Sequence, residues 1–401
     1  MTPNKYPFNK IINRADTNAM SVTGYRGYLF DKDVDLSGQY EEADFIPMWV
    51  ADMEFAIAPE IIGAIKKRLD HPLLGYSMVA DLAYPLAFQK WCVDRYGWKP
   101  DMKDLVYAKG VIPALFSLIG YICKPDEKVL IVTPSYAFFK HGADANGIES
   151  VCSHLVVAEG KYVMDMDDIR EKAADEKCVL AIFCNPHNPT GRVWSKEELQ
   201  KLGDVCIENN VTIISDEIHC DLLRIDQSFT PMASLFPDSD QIITCMAPSK
   251  TFNLAGNMFA NIIIPNDALR TIYTENYLPI ENPLSIVAAQ AAYTHGHEWL
   301  LELREYLDDN FRYLKAQLDK HLPHTNFVIA ESTYLAWINV SHYFPKSENL
   351  TLFFARNAGV LLEGGDMFVA NAEGYIRLNL ACPRLRLEKG VGRIIAAVLG
   401  K

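Results

Sequence analysis

Five short runs of almost unbroken apolar residues constrain this chain more than any other feature: KVLIV at 128–132, CVLAIFC at 178–184, VTIIS at 211–215, QIITCM at 241–246 and NIIIP at 261–265. They are rich in β-branched residues and lack the polar–apolar alternation of a strand with one wet face, so they suit a sheet covered by helices on both faces. Helix-like segments lie between them. Ser195 with Glu198 three positions on reads as a capping box opening a helix that runs to about Asn209, and Pro113 heads an apolar helix at 113–122. The alternation predicts crossover helices between parallel strands, an α/β domain. After Asn282 the pattern changes: residues 283–320 read as one long amphipathic helical stretch, and the remainder mixes strands (YLAWINV, YIRLNL) with one helix and a glycine turn, a smaller α+β unit. No repeat or Ser/Gly linker parts the two, which predicts a shared interface with a ligand cleft.

Composition narrows the partners. With 38 Lys+Arg against 51 Asp+Glu the net charge is −13 and no basic run offsets it, so neither nucleic acid nor an anionic membrane surface is expected to bind. No stretch approaches the ~18 to 20 apolar residues of a membrane span, and the start MTPNKYPFNK has no apolar signal core, so a cytoplasmic protein is expected. Nine cysteines, without a C-x-x-C pair, read as reduced core residues rather than disulfides or zinc ligands. His295-Gly-His297 has no flanking third ligand, and no metal site is predicted.

In a sheet of this kind, ligands bind beyond the carboxyl ends of the strands. CVLAIFC is followed by Asn185-Pro-His-Asn188-Pro-Thr-Gly191, VTIIS by Asp216-Glu217-Ile-His219, QIITCMA by Pro248-Ser249-Lys250-Thr251, and KVLIV by Thr133-Pro134-Ser135-Tyr136. Each has a plain structural reading alone: turn chemistry for Asn-Pro-Thr-Gly, a cap or ion-pair role for the Asp, a solvated charge for the Lys. Together they set an amide, a carboxylate, an amine and an aromatic ring on one rim. An amine for covalent attachment, a carboxylate for the pyridine nitrogen, a donor for the phenolic oxygen and a flat ring for stacking are what pyridoxal 5′-phosphate requires.

The order and separation of Asn188, Asp216 and Lys250 resemble the aspartate aminotransferase superfamily, fold type I. Met48-Trp-Val-Ala-Asp-Met-Glu-Phe55, Gly75-Tyr-Ser, Ser215-Asp-Glu-Ile-His219, Ala247-Pro-Ser-Lys-Thr-Phe-Asn-Leu-Ala-Gly256, Glu331-Ser-Thr-Tyr-Leu-Ala-Trp337 and Arg377-Leu-Asn-Leu-Ala-Cys-Pro-Arg384 extend the resemblance over essentially the whole chain. They are similar to its cystathionine β-lyase branch of bacterial carbon–sulfur lyases. The resemblance implies a large domain at 48–285 with a mostly parallel seven-stranded sheet flanked by helices, and a small α+β domain of 1–47 with 286–401. It implies that Lys250 holds the cofactor and moves protons, Asp216 pairs with the pyridine nitrogen, Asn188 meets the phenolic oxygen and Tyr136 stacks on the ring. Ser249 falls among the cofactor contacts, and Gly110-Val111-Ile112, just before the helix opened by Pro113, offers backbone N–H groups to the phosphate. Tyr136 as a core aromatic and Gly110 as a bare glycine turn are the plain alternatives.

Two departures from the transaminases stand out. His219 occupies the place of their tyrosine, either as a cofactor contact or as a helix-start histidine, and Met258 stands where they carry a phosphate-binding arginine. In the lyase branch a tyrosine of the neighbouring subunit reaches the phosphate, which matches Tyr76 and implies a homodimer. Arg377 matches the arginine that takes the substrate α-carboxylate, with Arg384 as a second candidate. The implied activity is cleavage of L-cystathionine or a related S-substituted cysteine to a thiol, pyruvate and ammonia. The alternatives are an aminotransferase, or a regulatory protein that keeps the fold to hold a transcription factor.

Overall fold

Along CVLAIFC, Leu180, Ile182 and Cys184 face one hydrophobic cluster while Ala181 and Phe183 face another, and Val129 and Ile131 are split from Leu130 and Val132 in the same way. Successive strand side chains point to opposite faces, so a run apolar at every position buries both. The structure, a computed structural model, describes residues 5–158 and 160–400; the first four residues of the MTPNKYPFNK start lie outside that range. Its central sheet comprises β1 (Leu105–Ala108), β2 (Lys128–Thr133), β3 (Glu149–His154), β4 (Cys178–Cys184), β5 (Thr212–Asp216), β6 (Ile242–Met246) and β7 (Ala260–Ile263). The order is β1-β7-β6-β5-β4-β2-β3. β7 is antiparallel to both its neighbours and the other pairings are parallel, so every strand but β7 presents its carboxyl end to one rim.

The expected mostly parallel, helix-covered sheet is borne out, with NIIIP as its reversed member. The edge strands β1 and β3 were not among the five runs. Each is wetter, β1 alternating between half-buried and buried positions and β3 exposed at both ends and mostly half-buried between, because an edge is covered less completely than the centre.

The helices match the expectation with three corrections. α1 spans Val111–Ile122, so it begins two residues before Pro113, with Gly110 as N-cap; proline sits in its first turn, where no intrahelical N–H is needed. The capping box is present: Ser195 Oγ accepts the Glu198 amide at 3.2 Å, Glu198 Oε2 accepts the Ser195 amide at 2.8 Å, and α2 runs Lys196–Glu208. A short α3, Pro248–Thr251, follows β6. The stretch 283–320 is two helices, α4 (Pro283–His295) and α5 (His297–His321). They part at Gly296, where a Cβ would lie 2.3 Å from Phe252 Cε1; His295 and His297 flank that break. The C-terminal part holds two helices rather than one, α6 (Leu350–Ala358) and α7 (Arg384–Val398). Gly390 and Gly392 weaken the helical signal of α7, and Gly390 has its reason: a Cβ there would meet Met48 Sδ at 2.6 Å.

A second sheet, β8 (Leu335–Asn339), β9 (Glu363–Gly364) and β10 (Tyr375–Asn379), is antiparallel in the order β8-β10-β9. Phe311 of α5, Phe354 of α6 and Leu387 of α7 pack in the cluster that includes Ile338 of β8 and Ile376 and Leu378 of β10. The division into 48–285 and 1–47 with 286–401 remains our proposal. Ala288 and Ala292 of α4 pack in the same cluster as Trp91 and Phe252. The nine cysteine thiols are unpaired, eight of them buried.

Candidate active site

The shared rim of the strands delivers the polar groups. Asp216 is the last residue of β5, and its backbone carbonyl accepts the Asn185 amide at 2.9 Å, locking the turn after β4 beside it. β6 leads through Ala247 into α3 and Lys250, β2 leads to Tyr136, and β1 leads through Gly110 into α1. From the second sheet, β10 brings Arg377. All of these face one cavity of about 380 Å³.

Every site residue expected from sequence lines that cavity except Tyr76 and the second carboxylate candidate, Arg384. Tyr76 is 93% exposed and lies outside it. Arg384 is not on it either: its Nε donates to Asn310 Oδ1 at 3.1 Å and its guanidinium stacks on Tyr313, so it serves packing between α5 and α7.

Burial sets the electrostatics. It raises the Asp216 carboxyl to about 6, opposed by the Ile218 amide bound to its Oδ1 at 3.1 Å and by the Lys250 charge. Lys250 donates from Nζ to the Ala51 carbonyl at 2.8 Å, and burial, reinforced by Arg377, lowers its amine to about 8. His219 is held down at about 3 by burial and then by Lys250 and Arg377, so its imidazole is neutral at working pH. Arg377 is 2% exposed, donates from Nη1 to Asn188 Oδ1 at 2.8 Å and pairs through Nη2 with Glu363. Because the Asn188 oxygen is committed to Arg377, its amide NH2 is the donor left for a ligand.

Among the cavity residues that were missed, Glu363 and Tyr28 matter most to the site. Glu363, 3% exposed, sits directly opposite Arg377 in the β9–β10 pairing; its only sequence signal is a charge in LLEGG between apolar residues and two glycines. Tyr28, from the N-terminal segment, also lines the cavity, and nothing in its local pattern sets it apart.

Pyridoxal 5′-phosphate fits this donor set. His219 Nδ1 and Arg377 Nε are buried without partners, so the cavity wall carries polar nitrogens awaiting a ligand. At the opening of α1, Gly110, Val111 and Ile112 hold the N–H groups that no earlier helical carbonyl takes, and Pro113 has none to offer. Met258 lines the cavity where the resemblance would have had an arginine.

The sequence profile described as aminotransferase class I and II matches residues 45–394. The Bacillus subtilis protein named cystathionine β-lyase PatB is 37% identical over 380 residues, covering 94% of this chain and 97% of that protein. A crystal structure of the PLP-bound C–S lyase from Staphylococcus hominis superposes with a TM-score of 0.94 at 48% identity, covering 99% of both chains. Cystalysin from Treponema denticola superposes with a TM-score of 0.92 at 30% identity over 98% of this chain and 99% of that one.

Proposed function

The chain belongs to the aminotransferase class I and II family, and from that premise we propose that it is a pyridoxal phosphate-dependent carbon–sulfur β-lyase. Its substrate is L-cystathionine or a related S-substituted cysteine, released as a thiol, pyruvate and ammonia. The observation that carries elimination over amino transfer is the likeness, over nearly the full length, to proteins named as lyases.

The bound cofactor supplies an aldehyde carbon for attachment and a ring that takes up an electron pair. The chain's own residues do the rest. Arg377 binds the substrate α-carboxylate, and Asn188 and Glu363 hold its guanidinium in place. Lys250 removes the proton from the substrate Cα. With its amine at about 8, roughly a tenth is neutral at pH 7, against about one part in three thousand for an ordinary lysine. Asp216 places a negative charge at the ring nitrogen, Asn188 donates to the phenolic oxygen, Tyr136 offers its ring face, and Gly110 to Ile112 donate to the phosphate. Ser249 and His219 complete the cofactor contacts. Tyr28 and Met20 of the N-terminal segment close the cavity wall from the same chain and exclude water.

Purified protein mixed with L-cystathionine is expected to release pyruvate and a thiol in equal amounts without an added keto acid. Turnover that requires a keto acid and yields no thiol would make it an aminotransferase.

We also assign the working form as a homodimer with shared sites. The loop that precedes the helix Ala83–Tyr96 is pinned where the Glu281 amide donates to the Ser77 carbonyl at 2.8 Å, yet Tyr76 projects from it. Around it Leu73, Leu74 and Met78 are 69%, 54% and 56% exposed, an apolar group suited to a second copy. With Met258 in place of a cation, the phenol of Tyr76 from the partner supplies the missing phosphate contact. Tyr76→Phe is expected to weaken cofactor retention by ~1 to 3 kcal/mol, one charge-assisted hydrogen bond, without unfolding the protein. Mixing Lys250→Ala chains with Tyr76→Ala chains should restore up to about a quarter of parental activity, since random pairing makes half the dimers mixed, each with one sound site of two. No recovery after confirmed subunit exchange would remove Tyr76 from the partner's site. Among the described residues no helix is long and apolar enough to cross a membrane, and we keep the cytoplasm as the proposed location.

A further inference from the structure

Glu363 is a carboxylate buried in the wall of a cavity that has to accept another carboxylate. Its strand register sets it opposite Arg377, the two form a cross-strand ion pair, and both are almost wholly removed from solvent. Arg377 has five N–H donors; one goes to Glu363 and one to Asn188, and Nε has no partner. The guanidinium therefore keeps donors for a ligand, but its charge is already neutralised.

Among the described residues, the groups around Glu363 supply no second cation at contact distance. Arg377 is its single ion-pair partner; Tyr28 and Tyr136 feel its charge as neutral phenols, Lys250 acts on it from across the cavity, and Asp216 adds a further negative charge to the same cavity. Two carboxylates sharing one guanidinium in a water-poor site do not both stay ionised. Of the two, Glu363 takes the proton more readily: burial has already raised it, whereas an amino acid's α-carboxyl starts near ~3.5.

We propose that Glu363 is a positioning residue for Arg377, and that docking of a carboxylate on Arg377 is coupled to uptake of one proton from solvent by the Glu363 carboxylate. In the resting site the charged pair holds the guanidinium in register. In the occupied site Glu363 is neutral, and Arg377 directs its full charge at the ligand. Ligand affinity then rises as pH falls, by up to about tenfold per unit where one proton is taken up. This rests on the reading above that Arg377 is the carboxylate site.

The test uses the holoenzyme and propionate, a carboxylate with no amine to react. Calorimetric titrations in two buffers of different ionisation enthalpy count the protons taken up per propionate bound. Parent protein is expected to take up as much as one proton more than Glu363→Gln, whose amide keeps the shape and one acceptor oxygen but cannot titrate. Any proton bound at the cofactor's lysine link is common to both and cancels. Equal uptake by the two proteins would overturn the coupling. Arg377→Lys separates the layers: binding weakened about tenfold to a hundredfold, one charged bidentate contact, upholds the carboxylate site, while unchanged binding would show that the underlying assignment of Arg377 is what failed. Should Glu363→Gln not fold, the parent alone decides. Adding carbon-13-labelled propionate, whose bands are displaced, should bring up the infrared stretch of a protonated protein carboxyl, and its absence would overturn the proposal.

Discussion

A Lys250→Ala chain is expected to be colourless and to lose roughly three or more orders of magnitude in turnover, because one amine serves as both the cofactor's tether and the base at Cα. The loss will be chemical rather than structural. The Ala51 carbonyl that accepts Lys250 Nζ also accepts the Tyr334 hydroxyl at 2.7 Å, so the substitution leaves no buried acceptor unpaired. The titration of the lysine points the same way. Its amine stands at about 8 in the folded chain against 10.5 otherwise, so the unfolded chain binds the proton more tightly, and the parent loses stability as pH falls from 10.5 through about 8. Alanine removes that loss. The cofactor-free variant should therefore melt no lower than the cofactor-free parent at pH 7, and variant incubated with the cofactor and then freed of unbound cofactor should show neither the parent's yellow absorbance nor a borohydride-reducible link between chain and cofactor. A variant with a reducible link and near-parental rate would place the attachment elsewhere.

What could be read from sequence follows from which forces are local. The inner strands were legible because being buried on both faces demands apolar residues at every position, and Asn188, Asp216 and Lys250 were legible because the rim of such a sheet is where polar groups following apolar runs must meet. Strand direction was not: NIIIP in β7 looks like its parallel neighbours, since burial on two faces says nothing about polarity along the chain. The break at Gly296 depends on the Phe252 ring that crowds it, a contact made across forty-four residues. Glu363 was hidden for a similar reason. A buried charge is sensible only beside its partner, and Arg377 becomes that partner only when β9 pairs with β10. Tyr76 is the opposite case: resemblance singled it out, and within one chain it lies outside the cavity it is proposed to serve.

Asp216→Asn should separate the stability of the site from its chemistry. In the cofactor-free chain the Asp216 carboxyl is raised from 3.8 to about 6, first by burial. A folded-state value above the unfolded one means no penalty below pH 3.8, where both states are protonated. Stability then declines as pH rises through about 6, because the unfolded chain ionises first, and the full penalty persists above that. A shift of this size corresponds to about 2 to 3 kcal/mol, and asparagine, neutral at every pH, escapes it. The cofactor-free variant should thus melt with the parent near pH 3.5, draw ahead between pH 4 and 6, and hold a constant advantage at pH 7. Catalysis moves in the other direction. The penalty exists because an anion is buried at the end of β5 with no ion-pair partner in contact and only part of its cost offset by the Lys250 charge, and that same anion favours a proton on the ring nitrogen; an amide offers no such charge. Removing one preorganised charge of this kind typically costs roughly 10²- to 10³-fold in rate, so abstraction of the α-proton, followed by deuterium exchange at Cα of L-alanine, should slow by that factor. Melting curves that stay parallel from pH 4 to 6 would show that Asp216 is not a strained anion in the empty site. Unchanged exchange would remove it from the chemistry, and the two results are independent. An anion destabilising before the cofactor arrives and indispensable afterwards is what a buried carboxylate at this strand end has to be if its partner is brought by the ligand.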